Sequence, residues 1–93
     1  MVVIQSSSPG HTRAINALSV VAIGTSPIVC SGGYDGTVRV WRLEPDHRLK
    51  LLHEIEDEAA GAIFSLHASE LPGGELLLCA GSLSREVRCA VPT

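Results

Sequence analysis

The chain has 93 residues, 45% apolar and 18% charged, with a formal net charge of −3. That length suits one small domain, and the apolar share is that of a folded chain; the mild negative charge leaves no basic footprint for nucleic acid. No apolar run approaches the roughly 18 residues of a membrane span, so neither nucleic acid nor membrane is an expected partner.

Along the chain, Val2-Val3-Ile4 reads as a short strand and Ser6-Ser7-Ser8-Pro9 as a polar linker. Ser8-Pro9 is read as a turn in preference to a proline-directed phosphorylation site. From Ala14 to Ile23, Ile15, Ala17 and Val21 share one side, and Leu18, Val20 and Ala22 share the other. Apolar residues on both sides predict a strand buried on both faces. Gly24-Thr25-Ser26-Pro27 is the expected turn, and Ile28-Val29-Cys30 fits a buried strand. Asp35-Gly36 is a hairpin dipeptide, because Gly takes positive φ without a Cβ clash and Asp bonds its own backbone there. Thr37-Val38-Arg39-Val40-Trp41 then alternates with period two in β-branched and aromatic residues, which is strand chemistry. Glu44-Pro45-Asp46-His47 is a loop, and Leu49 to Ile55 an outer strand with one wetter face. Glu54, Glu56, Asp57 and Glu58 form a solvated acidic run.

The stretch Cys30 to Leu43, C-S-G-G-Y-D-G-T-V-R-V-W-R-L, is the centre of this pattern. A Gly10-His11 pair lies about thirty residues before Trp41. A Gly-His pair, an apolar strand and then S-G-x-x-D-G-T-V-R-V-W resembles one WD40 repeat, the four-stranded blade unit of a β-propeller. The resemblance covers Gly10 to Leu43, about a third of the chain. Arg42 stands where the name-giving Asp follows Trp in such repeats.

The C-terminal third repeats the plan. Cys79-Ala80-Gly81 parallels Cys30-Ser31-Gly32, and Val87-Arg88 parallels Val38-Arg39, both at an offset of 49 residues. Ile63-Phe64-Ser65-Leu66 parallels Ile15-Asn16-Ala17-Leu18 at 48. Pro72-Gly73-Gly74 supplies the middle turn. The expected fold is all-β: two WD40-type four-stranded antiparallel blades making a partial propeller, the second lacking its fourth strand. Residues 1–9 would be an N-terminal strand and linker, 10–57 the first blade and 58–93 a degenerate second one.

The resemblance implies a hydrogen-bonded structural tetrad at His11, Ser31, Asp35 and Trp41, in which a carboxylate fixes the His tautomer and a hydroxyl and an indole N–H complete the chain. Ala80, Ser84 and Ala90 hold the corresponding second-blade positions, so apolar packing alone would support that blade. The resemblance also implies a rigid, non-catalytic platform for other proteins or peptides, with partner contacts at Tyr34, just before the tetrad Asp, at Leu83 in the matching position, and at Arg13. His11, Ser31 and Asp35 are also the residue types of a hydrolase triad. Ser31 lies in C-S-G-G, however, not in a G-x-S-x-G elbow, and a triad leaves Trp41 unexplained.

His47, His53 and His67 lack ligand spacing, so no metal or other cofactor is expected. Cys30, Cys79 and Cys89 form no C-x-x-C pair and follow no signal peptide. Reduced thiols in an intracellular compartment, cytoplasmic or nuclear, are the expectation, with Cys30 and Cys79 as core thiols. A closed propeller takes about four to eight blades, which leaves three readings open. The chain is part of a larger scaffold; or it joins copies of itself or a partner in a ring, Val2-Val3-Ile4 adding a strand to a neighbour's second blade; or it is a non-propeller β-domain, with hydrolase-type activity among its options.

Overall fold

The structure is a computed structural model and describes residues 13–56, 61–83 and 87–91, with 87–90 described by backbone alone. Among these residues are seven strands: β1 (Ile15–Ile23), β2 (Ser26–Gly33), β3 (Thr37–Leu43), β4 (Leu49–Glu56), β5 (Ile63–Glu70), β6 (Leu76–Ser82) and β7 (Val87–Ala90). They form two antiparallel sheets, one ordered β1-β2-β3-β4 and the other β5-β6-β7. No helix among the described residues is long and apolar enough to cross a membrane. The expected strand at Val2-Val3-Ile4 lies outside the described residues, as do Asp57, Glu58 and Ser84.

The connections are short and set by their turn residues. β1 turns into β2 through Gly24-Thr25 alone, with Gly24 at φ 63 and Ile23 opposite Ser26. Ser26 and Pro27, expected in the turn, already belong to β2. Pro27 fits there because it lies one residue before β2 starts pairing with β3 at Ile28, near the strand's end, where a missing N–H costs least. The β2–β3 loop spans Tyr34 to Gly36, three residues rather than a two-residue dipeptide turn. Gly36 N donates to Gly33 O at 3.2 Å, and Gly36 has φ 77. A turn closed in this way needs its last residue in the left-handed region, which is the role of the glycine. Glu44 to Arg48 connects β3 to β4, and Leu71 to Glu75 connects β5 to β6, each closed by paired backbone bonds.

The two sheets repeat one another in backbone detail. In β1 the register shifts between Ile15 and Ala17, opposite Gly33 and Gly32. In β5 it shifts between Ile63 and Ser65, opposite Ser82 and Gly81. Tyr34 N donates to Ala14 O at 3.0 Å, and Leu83 N donates to Ala62 O at 3.0 Å, at the same end of each sheet. One bulge and one loop bond therefore recur at the offsets that the sequence pattern carries.

The core lies between the sheets. Ile28, Cys30, Val38 and Val40 face Ile63, Ala68 and Leu78, with Val21, Ile23, Leu66 and Leu76 packed around them. Gly32 permits the closest approach, since a Cβ there would fall 2.6 Å from Ile63 Cγ2. Side chains of β1 also bridge to β5. Asn16 Nδ2 donates to Ile63 O at 3.1 Å, and Ala68 N donates to Ser19 Oγ at 3.1 Å. These bonds satisfy edge groups of β5 that its own sheet leaves open on that side.

β1 is not buried on both faces. Ala17, Ser19, Val21 and Ile23 are half-buried toward β5, whereas Leu18 and Val20 are 65% and 66% exposed. The two-sided apolar pattern predicts two covered faces, but the second sheet packs on one. The free face of the second sheet differs in kind: Ser65 and His67 are exposed there beside half-buried Cys79 and Gly81. β4 behaves as an outer strand, its alternate residues Lys50, Glu54 and Glu56 in water.

Candidate functional site

Alternation along β3 puts Thr37, Arg39 and Trp41 on the face of the first sheet turned away from the second. All three are buried, at 4%, 5% and 4% exposure. In register, Ser31 of β2 stands opposite Arg39, and Val29 opposite Trp41. This brings the Trp41 indole N–H to Ser31 Oγ, to which it donates at 2.9 Å. Ser31 is itself 3% exposed. A buried indole without an acceptor would leave an orphan donor, so the hydroxyl is a matched partner. His11, the remaining ring of the expected tetrad, lies outside the described residues.

Asp35 organises the loop before β3. Its Oδ1 accepts from Thr37 N at 3.1 Å and from Thr37 Oγ1 at 2.8 Å. That is an Asx turn, in which a short carboxylate replaces a backbone acceptor. Arg39 Nη1 donates to Asp35 Oδ2 at 3.3 Å and to Thr37 Oγ1 at 2.9 Å, while Nη2 reaches Glu54 Oε1 of β4 at 3.2 Å. The Arg39 and Asp35 side chains are each 6% exposed, so the pair is buried; Glu54 at 41% keeps one end wet. Arg39 Nε is buried with no hydrogen-bond partner among the described residues.

The sequence pattern pointed to Asp35 but not to Arg39. The available signal was the D-x-T-x-R spacing, which brings Asp35 of the loop to the side of the strand on which Thr37 and Arg39 lie.

The loop end of the molecule carries the exposed apolar residues. Tyr34 is 45% exposed, Leu83 64% and Phe64 47%. The Tyr34 and Phe64 rings meet edge to face, with centroids 6.2 Å apart and planes at 84°, a favoured aromatic geometry. Phe64 was not singled out from sequence. It is the extra residue of the β5 bulge, and a bulge is visible only once strands are paired. Arg13 is exposed at the start of β1. Leu83 lies against Gly61, whose φ is 67 and whose absent Cβ would contact it at 3.4 Å. Tyr34 and Leu83 thus stand at matching positions of the two sheets, with Phe64 between the sheets' loop ends.

The buried polar groups of this face are closed to a substrate. Ser31 Oγ is too buried to meet a substrate carbonyl, and a nucleophile must be reached to act. Burial pushes the Cys30 thiol up to about 11, which disfavours the thiolate that nucleophilic or redox chemistry requires. Cys79 is half-buried in β6, and the Cys89 side chain lies outside the described residues. Among the described residues no group of three or more His, Cys, Asp and Glu side chains could hold a metal ion. His47 sits in the β3–β4 loop at φ 65 and His53 on β4, apart from His67 on β5.

Residues 3–42 match the family model described as WD domain, G-beta repeat. No curated protein matches the chain.

Proposed function

We infer that this chain, a WD40-repeat protein by its residues 3–42, is a protein-interaction scaffold whose two sheets are adjacent blades of a propeller. Repeats of this family serve in general as non-enzymatic platforms for other proteins. The first blade spans residues 10–57 and the second, degenerate one residues 58–93, after an N-terminal strand and linker at 1–9. His11, Ser31, Asp35 and Trp41 are its structural tetrad, and Tyr34, Leu83 and Arg13 contact the partner.

One observation carries the reading: Tyr34 and Leu83 hold matching loop positions and are exposed, although the end of β2 and the start of β3 beside Tyr34 are buried. Tyr offers a large area at low rotamer cost, and aromatic and arginine side chains are the residues that dominate interface energies. The buried Asp35–Thr37–Arg39 network holds the loop that presents Tyr34. Rigid presentation lowers the entropy lost on binding. The partner is a protein or peptide and no cofactor is required.

The test is selection of peptides from a displayed random library on the wild-type chain, followed by counter-selection on Tyr34→Ala and Leu83→Ser variants. Peptides that bind wild type and lose at least tenfold in affinity to either variant support the reading. Peptides indifferent to both variants refute it.

A further inference from the structure

The contact between the two sheets leaves an unused copy of itself on the outside of the molecule. The first sheet meets the second through Ala17, Ser19, Ile28, Cys30 and Gly32; the second answers with Leu66, Ala68, Leu76 and Leu78. By the repeat offsets, the positions equivalent to this second set on the first sheet are Leu18, Val20, Pro27 and Val29. Leu18 and Val20 are exposed. The positions equivalent to the first set on the second sheet are Ser65, His67, Leu77, Cys79 and Gly81, and Ser65 and His67 are exposed. Ser65, His67, Cys79 and Gly81 line a shallow cleft of about 230 Å³ together with Leu66 and Ala80.

We propose that the exposed β1 side of the first sheet's outer face and the outer face of the second sheet are the two halves of a head-to-tail interface between copies of this chain, in which the second sheet of one copy packs on the first sheet of the next.

Two particulars support a second copy as occupant. The first is a knob and its hole. Within the chain, Ile63, beside the β5 bulge, sits over Gly32, where a Cβ would approach its Cγ2 to 2.6 Å. The equivalent pair is Ile15, beside the β1 bulge, and Gly81. Ile15 is 54% exposed, and a glycine is kept at the position where the hole is needed. Ser65 Oγ lies 2.6 Å from where a Gly81 Cβ would be; being an exposed side chain, it rotates away as Ile15 seats.

The second is an edge hydrogen bond. Ala68 N of β5 donates to Ser19 Oγ of β1. The equivalent donor is Val20 N on the β1 edge, and the equivalent acceptor position is His67, whose imidazole nitrogen can accept. A head-to-tail contact does not use up its own surfaces, so it continues until the rotation closes a ring. The interface leaves the Tyr34 rim open and is separate from peptide binding there.

The test is the solution mass of the full chain by light scattering across a concentration series, with circular dichroism as the control for folding. Wild type is expected at twice its 9.8 kDa or more. Val20→Lys and His67→Glu should each lower that mass to 9.8 kDa, and an equimolar mixture of the two should restore a dimer, because the second sheet of the Val20→Lys chain and the first sheet of the His67→Glu chain are both unaltered. Wild type at the single-chain mass throughout the series overturns the proposal. Loss of assembly with Val20→Lys but not with His67→Glu also overturns it, since the first sheets would then be packing on one another. If Val20→Lys fails to fold, His67→Glu alone decides between retained and lost assembly.

Discussion

Adding one methyl group at Gly32 tests the packing of the two sheets. A Cβ there falls 2.6 Å from Ile63 Cγ2 and 3.0 Å from Ile63 Cβ, inside the ordinary carbon contact of about 3.5–4.0 Å. Ile63 is 4% exposed. Rotating its side chain relieves the first contact but not the second, because Cβ is fixed to the β5 backbone. Gly32 is not among the glycines with positive φ, so Gly32→Ala carries no left-handed strain. Overpacking costs about 1–3 kcal/mol, offset by about 0.4–1 kcal/mol from stiffening the unfolded chain, for a net loss of about 1–2 kcal/mol. Urea titration followed by the fluorescence of Trp41, the single tryptophan, measures it. Ile63→Ala alone should cost about 2–5 kcal/mol through the cavity it leaves. In the double variant the added methyl occupies part of that cavity, so the combined loss should fall short of the sum by more than about 0.5 kcal/mol. Gly32→Ala as stable as wild type, or strict additivity, would refute the account of this contact.

Ser31→Ala leaves the buried Trp41 N–H without its acceptor and should cost about 1–3 kcal/mol by denaturant titration; Trp41→Phe added to it should then lose less than Trp41→Phe alone. Arg39→Met removes the buried ion pair with Asp35, whose Oδ1 keeps its bonds from Thr37, and should cost about 3 kcal/mol. That loss should persist in thermal melts at 1 M salt, where exposed pairs are screened within about 3 Å. Cys30 should stay unreactive toward Ellman's reagent at pH 8 until the chain unfolds. Its folded pKa, about 11, lies above the ordinary thiol value of 9.0, so the stability linked to it is full below pH 9 and lost as pH rises toward 11. A melt that rises over that window would contradict the assignment.

The local features were legible before any coordinates. Asp35-Gly36 and the alternation from Thr37 to Trp41 act through one loop and one strand, so their chemistry is written in adjacent residues. The loop's third residue was not, because whether Tyr34 joins the turn depends on where Gly33 pairs. Position Phe64 became informative only when the β5 bulge lifted it beside Tyr34. Arg39 read as a polar residue on an alternating strand. Its partners come from the loop and from Glu54, fifteen residues on, and that pairing needs β4 in place. The apolar face of Leu18 and Val20 was legible as apolar, but a hydrophobic pattern states what a face prefers and not what covers it.

The central claim, a recognition surface at the loop end of two repeated sheets, is tested most directly by mapping a selected peptide on the isotope-labelled chain by amide chemical shifts. The account predicts perturbations concentrated at Arg13, Tyr34, Phe64 and Leu83, with the strand amides of β2 and β3 unmoved. Perturbations concentrated instead along the outer edge of β4, or in the cleft lined by Pro27, Arg42, Glu44 and His47, would contradict it.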